Sequence, residues 1–193
     1  MDRPGKDVLD FLRHLADERQ LSPNTIKAYR RDVRQLEEFL SDYLGRGDWA
    51  WGDPEVDRLA LRAFLGWCSR RGLSKRSAAR KLASARTFFT FLHLEERIPS
   101  NPARTVRAPK LDKRLPGHLT RADVAIVFDA AEQGAAENTL AGTRTLVILE
   151  LLYGSGLRLS ELHGLDCGWI DSRTKQMRVL GKGSKERIVP MTD

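Results

Sequence analysis

Cysteine is scarce in this sequence. Cys68 and Cys167 are the only two, they stand far apart, and neither has metal-ligand spacing. That argues against a disulfide-stapled scaffold or a cysteine-held zinc module and suits a reducing compartment. Long hydrophobic runs are also missing. The best, Leu146 to Tyr153, is interrupted by Glu150 and falls well short of the ~20 residues that a membrane span needs. The opening stretch, Met1-Asp-Arg-Pro-Gly-Lys-Asp7, is too charged for a secretory signal. The expectation is therefore a cytoplasmic protein without a membrane partner. Tyrosine occurs only at positions 29, 43 and 153, and no internal repeat or low-complexity segment is evident. Acidic residues are outnumbered, 26 against 33 Lys and Arg, which leaves a net charge of +7. An excess of that sign favours an anionic partner, with nucleic acid first.

Hydrophobic residues make up 41% of the 193, enough for one large or two small packed domains. The first half reads as four helices. Asp7 to Gln20 carries Val8, Phe11, Leu12 and Leu15 on one face. Ser22 as N-cap and Pro23 at the first helical position open a second helix, to about Asp42. Ile26, Tyr29, Val33, Leu36 and Leu40 form its apolar stripe. Lys27, Arg30, Arg31 and Arg34 form a basic one at helical spacing, and four like charges in one stripe point to phosphates. The loop Gly45 to Pro54 holds Trp49 and Trp51, read as packing on the domain. A third helix, Glu55 to Arg71, turns Leu59, Ala63, Phe64 and Trp67 inward and stops at Gly72. Ser74 caps a fourth, to about Glu96, with Ala78, Leu82, Ala85, Phe89 and Leu92 on its core face. Lys75, Arg76, Ser77, Arg80, Lys81 and Ser84 crowd its first half, a composition suited to close approach to a DNA backbone. Four such helices make a compact bundle.

Prolines 102, 109 and 116 then argue for an extended connector, made basic by Arg104, Arg107, Lys110, Lys113 and Arg114. Thr120 opens a capping-box-like helix to Gln133 that packs through Val124, Val127 and Phe128. Gly134 to Thr139 reads as a loop, and the buried-looking run to Tyr153 as an apolar helix. Gly154 and Gly156 break that run. The next segment, Leu157 to Leu165, reads as a short helix with Arg158 in its first turn, where backbone N–H groups and a guanidinium attract anions. Met177 to Leu180 and Arg187 to Pro190 read as a hairpin, with Gly181 to Lys185 as the turn that presents Lys182 and Lys185. An Arg and a Lys so placed could converge on one phosphate.

Gly156-Leu-Arg-Leu-Ser-Glu-Leu162 and, 24 residues beyond Arg158, the loop Gly181-Lys182-Gly-Ser-Lys185-Glu-Arg187 together resemble the tyrosine recombinases, most closely the Xer type. Leu21 to Asp32 also resembles the second helix of that type's core-binding domain, and the resemblance runs over almost the whole chain. It implies a mainly α fold: a four-helix, SAM-like core-binding domain over 1–103, a basic linker over 104–118, and the first part of an α+β catalytic domain with a β-hairpin over 119–193. It further implies site-specific recombination through a 3′-phosphotyrosyl intermediate. Arg158 would clamp a phosphate oxygen and Lys182 would protonate the leaving 5′ oxygen. Double-stranded DNA and further recombinase protomers, in a tetramer, would be the partners; no metal or nucleotide cofactor is required, because the covalent bond conserves the energy.

The family's later elements, a His-x-x-Arg box and the nucleophilic Tyr, have no counterpart after the hairpin. His118-Leu-Thr-Arg121 spells the box but precedes Arg158, so its order is wrong. Tyr29, Tyr43 and Tyr153 do not stand where that nucleophile does. The chain thus reads as the N-terminal part of a longer recombinase, inactive in cleavage alone. A DNA-binding module that lost its nucleophile and an integrase of a mobile element are the alternatives. Gly-Lys-Gly-Ser-Lys is not a P-loop, because spacing and the following strand are wrong.

Overall fold

Capping side chains decide where the helices begin. Ser22 accepts from the Thr25 N–H at 3.3 Å, and Pro23 sits at the first helical position, where no N–H is needed. The computed structural model describes residues 5–111, 117–181, 183 and 185–191 and divides into two units, 1–114 and 115–193. Of the expected linker, Lys113, Arg114 and Pro116 lie outside the described residues.

The first unit contains α1 (Lys6–Arg13), α2 (Pro23–Leu44), α3 (Arg58–Arg70) and α4 (Lys75–Leu94). A wider π-helical turn, His14–Glu18, ends the expected first helix early, and Gln20 takes a positive φ of 47° where the chain reverses. Gly45, at φ 65°, closes α2 in the left-handed conformation that glycine tolerates best. Ser74 accepts from the Ser77 N–H at 3.2 Å to start α4. Asp57 accepts from the Ala60 N–H at 2.9 Å and so starts α3 three residues later than expected. The rotation of that helix differs accordingly: Leu59 is 57% exposed, while Ala60, Leu61, Phe64 and Cys68 are buried.

The core is aromatic. Phe11 meets Phe88 edge-on at 5.2 Å, and Trp51 meets Phe88 at 4.7 Å, so the tryptophan loop is a lid on the bundle. Trp49 lies beside Trp51 and donates to Ser41 Oγ at 3.0 Å. Packing continues past α4 through Ile98, Ala103 and Val106, into the stretch expected as connector. Arg86 holds that stretch by donating to the carbonyls of Ala103 and Val106.

The second unit starts with a full capping box. Thr120 accepts from the Asp123 N–H at 3.2 Å, and Asp123 accepts from the Thr120 N–H at 2.8 Å. Helix α5 (Arg121–Ala136) runs through Gly134, which the sequence reading placed in a loop, and α6 (Leu140–Leu149) packs against it. Gly142 explains the closeness: a Cβ there would collide with the Gly134 carbonyl. The run from Leu146 to Tyr153 is not buried as expected, since Val147 and Tyr153 are exposed, and Val127 is exposed on α5. After a π-helical turn, Glu150–Gly154, comes the five-residue α7 (Leu159–His163). The strands β1 (Ile170–Asp171), β2 (Gln176–Leu180) and β3 (Glu186–Pro190) form an antiparallel sheet in that order, with Leu180 opposite Glu186 at the hairpin's end. Alternate residues Met177, Val179 and Val189 turn inward against Leu157.

Candidate functional site

In the second unit the decisive side chain is Glu161. It is one turn into a short helix, yet its side chain is 1% exposed. One oxygen accepts from the Arg158 backbone N–H at 2.8 Å and from Arg187 Nη2 at 2.9 Å. The other accepts from Arg158 Nη1 at 2.9 Å and Arg187 Nη1 at 2.5 Å. Four charge-assisted or backbone bonds on a buried carboxylate favour its ionised form. The Arg158 N–H, then the Arg187 guanidinium, hold its pKa down at about 2, from an ordinary 4.5, against the opposing effect of burial.

The consequence is mechanical. Arg158 is the N-cap of α7 and Arg187 belongs to β3, so one carboxylate ties the helix start to the hairpin. Gly156, at φ 62°, lets the chain turn so that Leu157 enters the small core and Arg158 leaves it. The Arg158 side chain is 68% exposed, and only Nη1 is engaged by Glu161. The guanidinium is thus tethered through one nitrogen while most of the side chain stays exposed. The backbone N–H of Arg158 is not open to an anion, contrary to the reading of a free helix start, because Glu161 occupies it. Gly181 packs against the same group: a Cβ there would stand 3.4 Å from Glu161 Oε1 and 3.3 Å from the Lys185 carbonyl. The turn closes through Gly181 N–H to that carbonyl at 2.7 Å, with Lys185 exposed. Lys182, the expected general acid, lies outside the described residues.

In the first unit Lys27, Arg30, Arg31 and Arg34 are all exposed on the side of α2 opposite its buried stripe. Arg34 also reaches Glu38 at 3.1 Å, an exposed pair worth little and readily exchanged for another anion. On α4, Lys75 and Arg76 are exposed and Ser77 is half-buried. The next two residues part company. Arg80 keeps a 47% exposed side chain and donates to Asp32, whereas the Lys81 side chain is 3% exposed with its ammonium 2.9 Å from Asp32 Oδ1. Lys81 is therefore corrected from surface contact to buried counter-ion. Ser84, also read as surface, is buried and donates to Asp32 Oδ2 at 2.8 Å.

These features can be set beside known proteins. Residues 8–96 match the model of the phage integrase N-terminal SAM-like domain, and residues 118–193 match that of the phage integrase family. The chain belongs to the phage integrase family, the tyrosine recombinases. It is 38% identical to tyrosine recombinase XerC of Chlorobaculum tepidum over 194 aligned residues, which cover 94% of this chain and 58% of that protein. It is also 38% identical to XerC of Pseudomonas aeruginosa strain LESB58, over 96% of this chain and 58% of that protein. The chain thus spans a little over half the length of the curated relatives it matches. Among solved structures, a lambda integrase tetramer bound to a Holliday junction aligns with a TM-score of 0.72 at 18% identity, covering 95% of this chain and 49% of that one. The Tn1549 transposon integrase with circular intermediate DNA aligns at 0.64 and 22% identity, covering 96% and 61%. At these identities the likeness is one of fold: a mainly helical chain with a SAM-like unit and part of an integrase catalytic domain.

Within this recombinase framework, sequence reasoning named Arg158 but missed what holds it. Glu161 and Arg187 stood inside the two quoted motifs, and the readable signal was a carboxylate three residues after the Arg with an Arg in the facing strand. Asp32 was missed as well. Its signal was an acidic residue between the basic and apolar stripes of α2. No group of three or more His, Cys, Asp or Glu among the described residues could hold a metal ion. Cys68 is buried, and that burial pushes its thiol pKa up, which makes it a packing residue and not a nucleophile. Also among the described residues, no helix is long and apolar enough to cross a membrane.

Proposed function

We propose that this chain supplies the DNA-binding portion and part of the phosphate-activating portion of a Xer-type site-specific recombinase, which works on double-stranded DNA in the cytoplasm with further protomers of its kind. The observation that carries the reading is the Arg158–Glu161–Arg187 cluster. It fixes an exposed guanidinium at its base while a hairpin is anchored to the same carboxylate.

A tyrosine hydroxyl attacks the phosphorus, a 3′-phosphotyrosyl bond forms, and the bond to the 5′ oxygen breaks. Negative charge grows on the non-bridging oxygens, where a pre-oriented guanidinium stabilises the transition state more than the ground state. Arg158 has that role, and Lys182 is assigned the proton donated to the leaving oxygen on its motif position alone. The nucleophile is none of the tyrosines here: Tyr29 packs on Phe11, Tyr43 stacks on Phe39, and Tyr153 stands against Phe128. Lys27, Arg30, Arg31, Arg34, Lys75, Arg76, Arg80 and Lys185 are the proposed backbone contacts, with Ser77 beside them. Chromosome or plasmid dimer resolution is the favoured role, since the 38% identity is to XerC proteins.

The test is fluorescence anisotropy with a labelled duplex across salt concentrations. Each phosphate neutralised adds about 0.9 to the magnitude of the log–log salt slope, so replacing Arg30 and Arg31 by Ala should flatten it by up to about 1.8. An unchanged slope removes α2 from the interface. A nicked duplex should give no protein–DNA adduct with this chain; an adduct lost in Tyr153→Phe would overturn the assignment of Tyr153.

A further inference from the structure

Asp32 is the most heavily committed acidic residue of the first unit, and the proposed DNA-binding reading leaves it without a role. It lies on α2 where the apolar stripe borders the outward face, with its side chain wholly shielded from solvent. Three donors reach it from two successive turns of α4: Arg80, Lys81 at 2.9 Å and, one turn on, Ser84 at 2.8 Å. Two of them, Lys81 and Ser84, are buried, which satisfies the carboxylate and locks α2 to α4. The third differs. Arg80 gives one nitrogen to Asp32 and leaves nearly half its side chain in solvent, in the helical row Arg76, Arg80, Ala83 and Thr87. Arg76 and Ala83 in that row are exposed and Thr87 is half-buried. Small residues on this face leave room for a backbone or groove to approach.

Charge explains why the cluster contains Lys81. Asp32 alone would neutralise Arg80 and remove its attraction for phosphate. With a buried ammonium on the same carboxylate, the Asp32–Lys81 pair is neutral and Arg80 keeps a net positive charge at the surface. We propose that Asp32 is a positioning residue for DNA binding: neutralised by Lys81 and held by Ser84, it pre-orders the Arg80 guanidinium to receive a phosphate of the duplex. The inference rests on the DNA-binding reading above and adds the device by which one of its contacts is set. Immobilising a long side chain only on binding lowers affinity by about two- to tenfold, and that is the factor Asp32 spares.

The experiment must separate positioning from folding. Asp32→Asn alone leaves a buried ammonium without its counter-ion and risks unfolding. The informative variant is Asp32→Leu with Lys81→Met, near-isosteric changes that remove one charge of each sign and leave the net charge unchanged. Its fold is checked by circular dichroism and thermal melting. Affinity for a labelled duplex and its salt slope are then measured in the 193-residue chain, with and without Arg80→Ala. Arg80→Ala alone should flatten the slope by about 0.9. The double variant should bind about two- to tenfold more weakly with its slope intact, because Arg80 still meets its phosphate but is no longer pre-ordered. In the Arg80→Ala background the same double change should cost nothing. Equal affinity of the double variant and the unaltered chain would overturn the proposal, as would an equal loss in both backgrounds, which would make Asp32 purely structural. A wild-type slope in Arg80→Ala also overturns it. The broader reading is judged separately, by the Arg30 and Arg31 replacements.

Discussion

Phe11, Phe64, Phe88 and Phe89 of the first unit are completely shielded, while Ile126, Leu140, Val147 and Tyr153 of the second stand open to solvent. The first unit closes a core over α1 to α4 and seals it with Trp51 and the Ile98–Val106 stretch. Among the described residues, the second unit buries the cluster of Leu157, Met177, Val179 and Val189, plus Ala131, and holds its remaining order by other means. Those means are single contacts: a capping box, a glycine contact between two helices, and a carboxylate gripped by two arginines. Non-directional burial stabilises the helices of the first unit, whereas directional polar bonds set the geometry around Arg158.

The sharpest way to break this contrast is hydrogen exchange on the intact chain. Amides of α4 around Phe88 should be protected about 1,000-fold or more beyond those of α6 around Val147, since local openings range from nearly free to the full unfolding energy. Mutation should repeat the asymmetry. Phe88→Ala should cost about 3–5 kcal/mol and Val147→Ala within about 0.5 kcal/mol, read from urea unfolding of each unit's own signal. Equal protection or equal costs would mean that the second unit has a core of the same kind.

Gly142 sharpens the contrast from the other side. By helix propensity alone, Gly142→Ala should gain ~1 kcal/mol. Here the added methyl would collide with the Gly134 carbonyl, so α5 and α6 must move apart. Overpacking of this sort costs about 1–3 kcal/mol, and the net sign should be destabilising, seen as a lower melting temperature for the second unit alone. A stabilised variant would show that the close approach of these helices is not what orders them.

The fold was legible where sequence and structure share a local cause. Ser22, Ser74 and Thr120 each cap the helix they were expected to cap, because that interaction spans only three residues. The β2–β3 hairpin followed from its glycine turn. On α3, Phe64 was read inward correctly and Ala63 and Trp67 pack against the core, but Leu59, which looks like core in a periodic reading, lies on the exposed face. Gly134 was read as part of a loop, yet α5 runs through it, and the missing side chain of Gly142 on the next helix lets α6 close against it. Distance in sequence hid Asp32 from Lys81 and Glu161 from Arg187. Charge stripes report what a helix offers to solvent, but a buried ion pair between elements leaves no periodic trace. Lys81 looked like a surface residue for that reason.

The smallest predicted effect concerns pH and tests whether polar bonds really organise the second unit. The Glu161 carboxyl titrates at about 2 in the folded chain, against an ordinary 4.5, chiefly through the Arg158 N–H and the Arg187 guanidinium. A depressed carboxyl pKa contributes stability that is complete above the unfolded value and is lost as pH falls toward the folded one. The second unit should therefore weaken progressively from about pH 4.5 down to about 2, a window set by the same two values. A carbon-detected NMR titration of the Glu161 side chain reads the midpoint directly. Arg187→Ala removes two of the donors and should move that midpoint up toward the ordinary value, while leaving the melting of the first unit unchanged. A midpoint near 4.5 in the unaltered chain would mean that Glu161 is not gripped in solution. Arg158 would then lose the fixed base on which its proposed role depends.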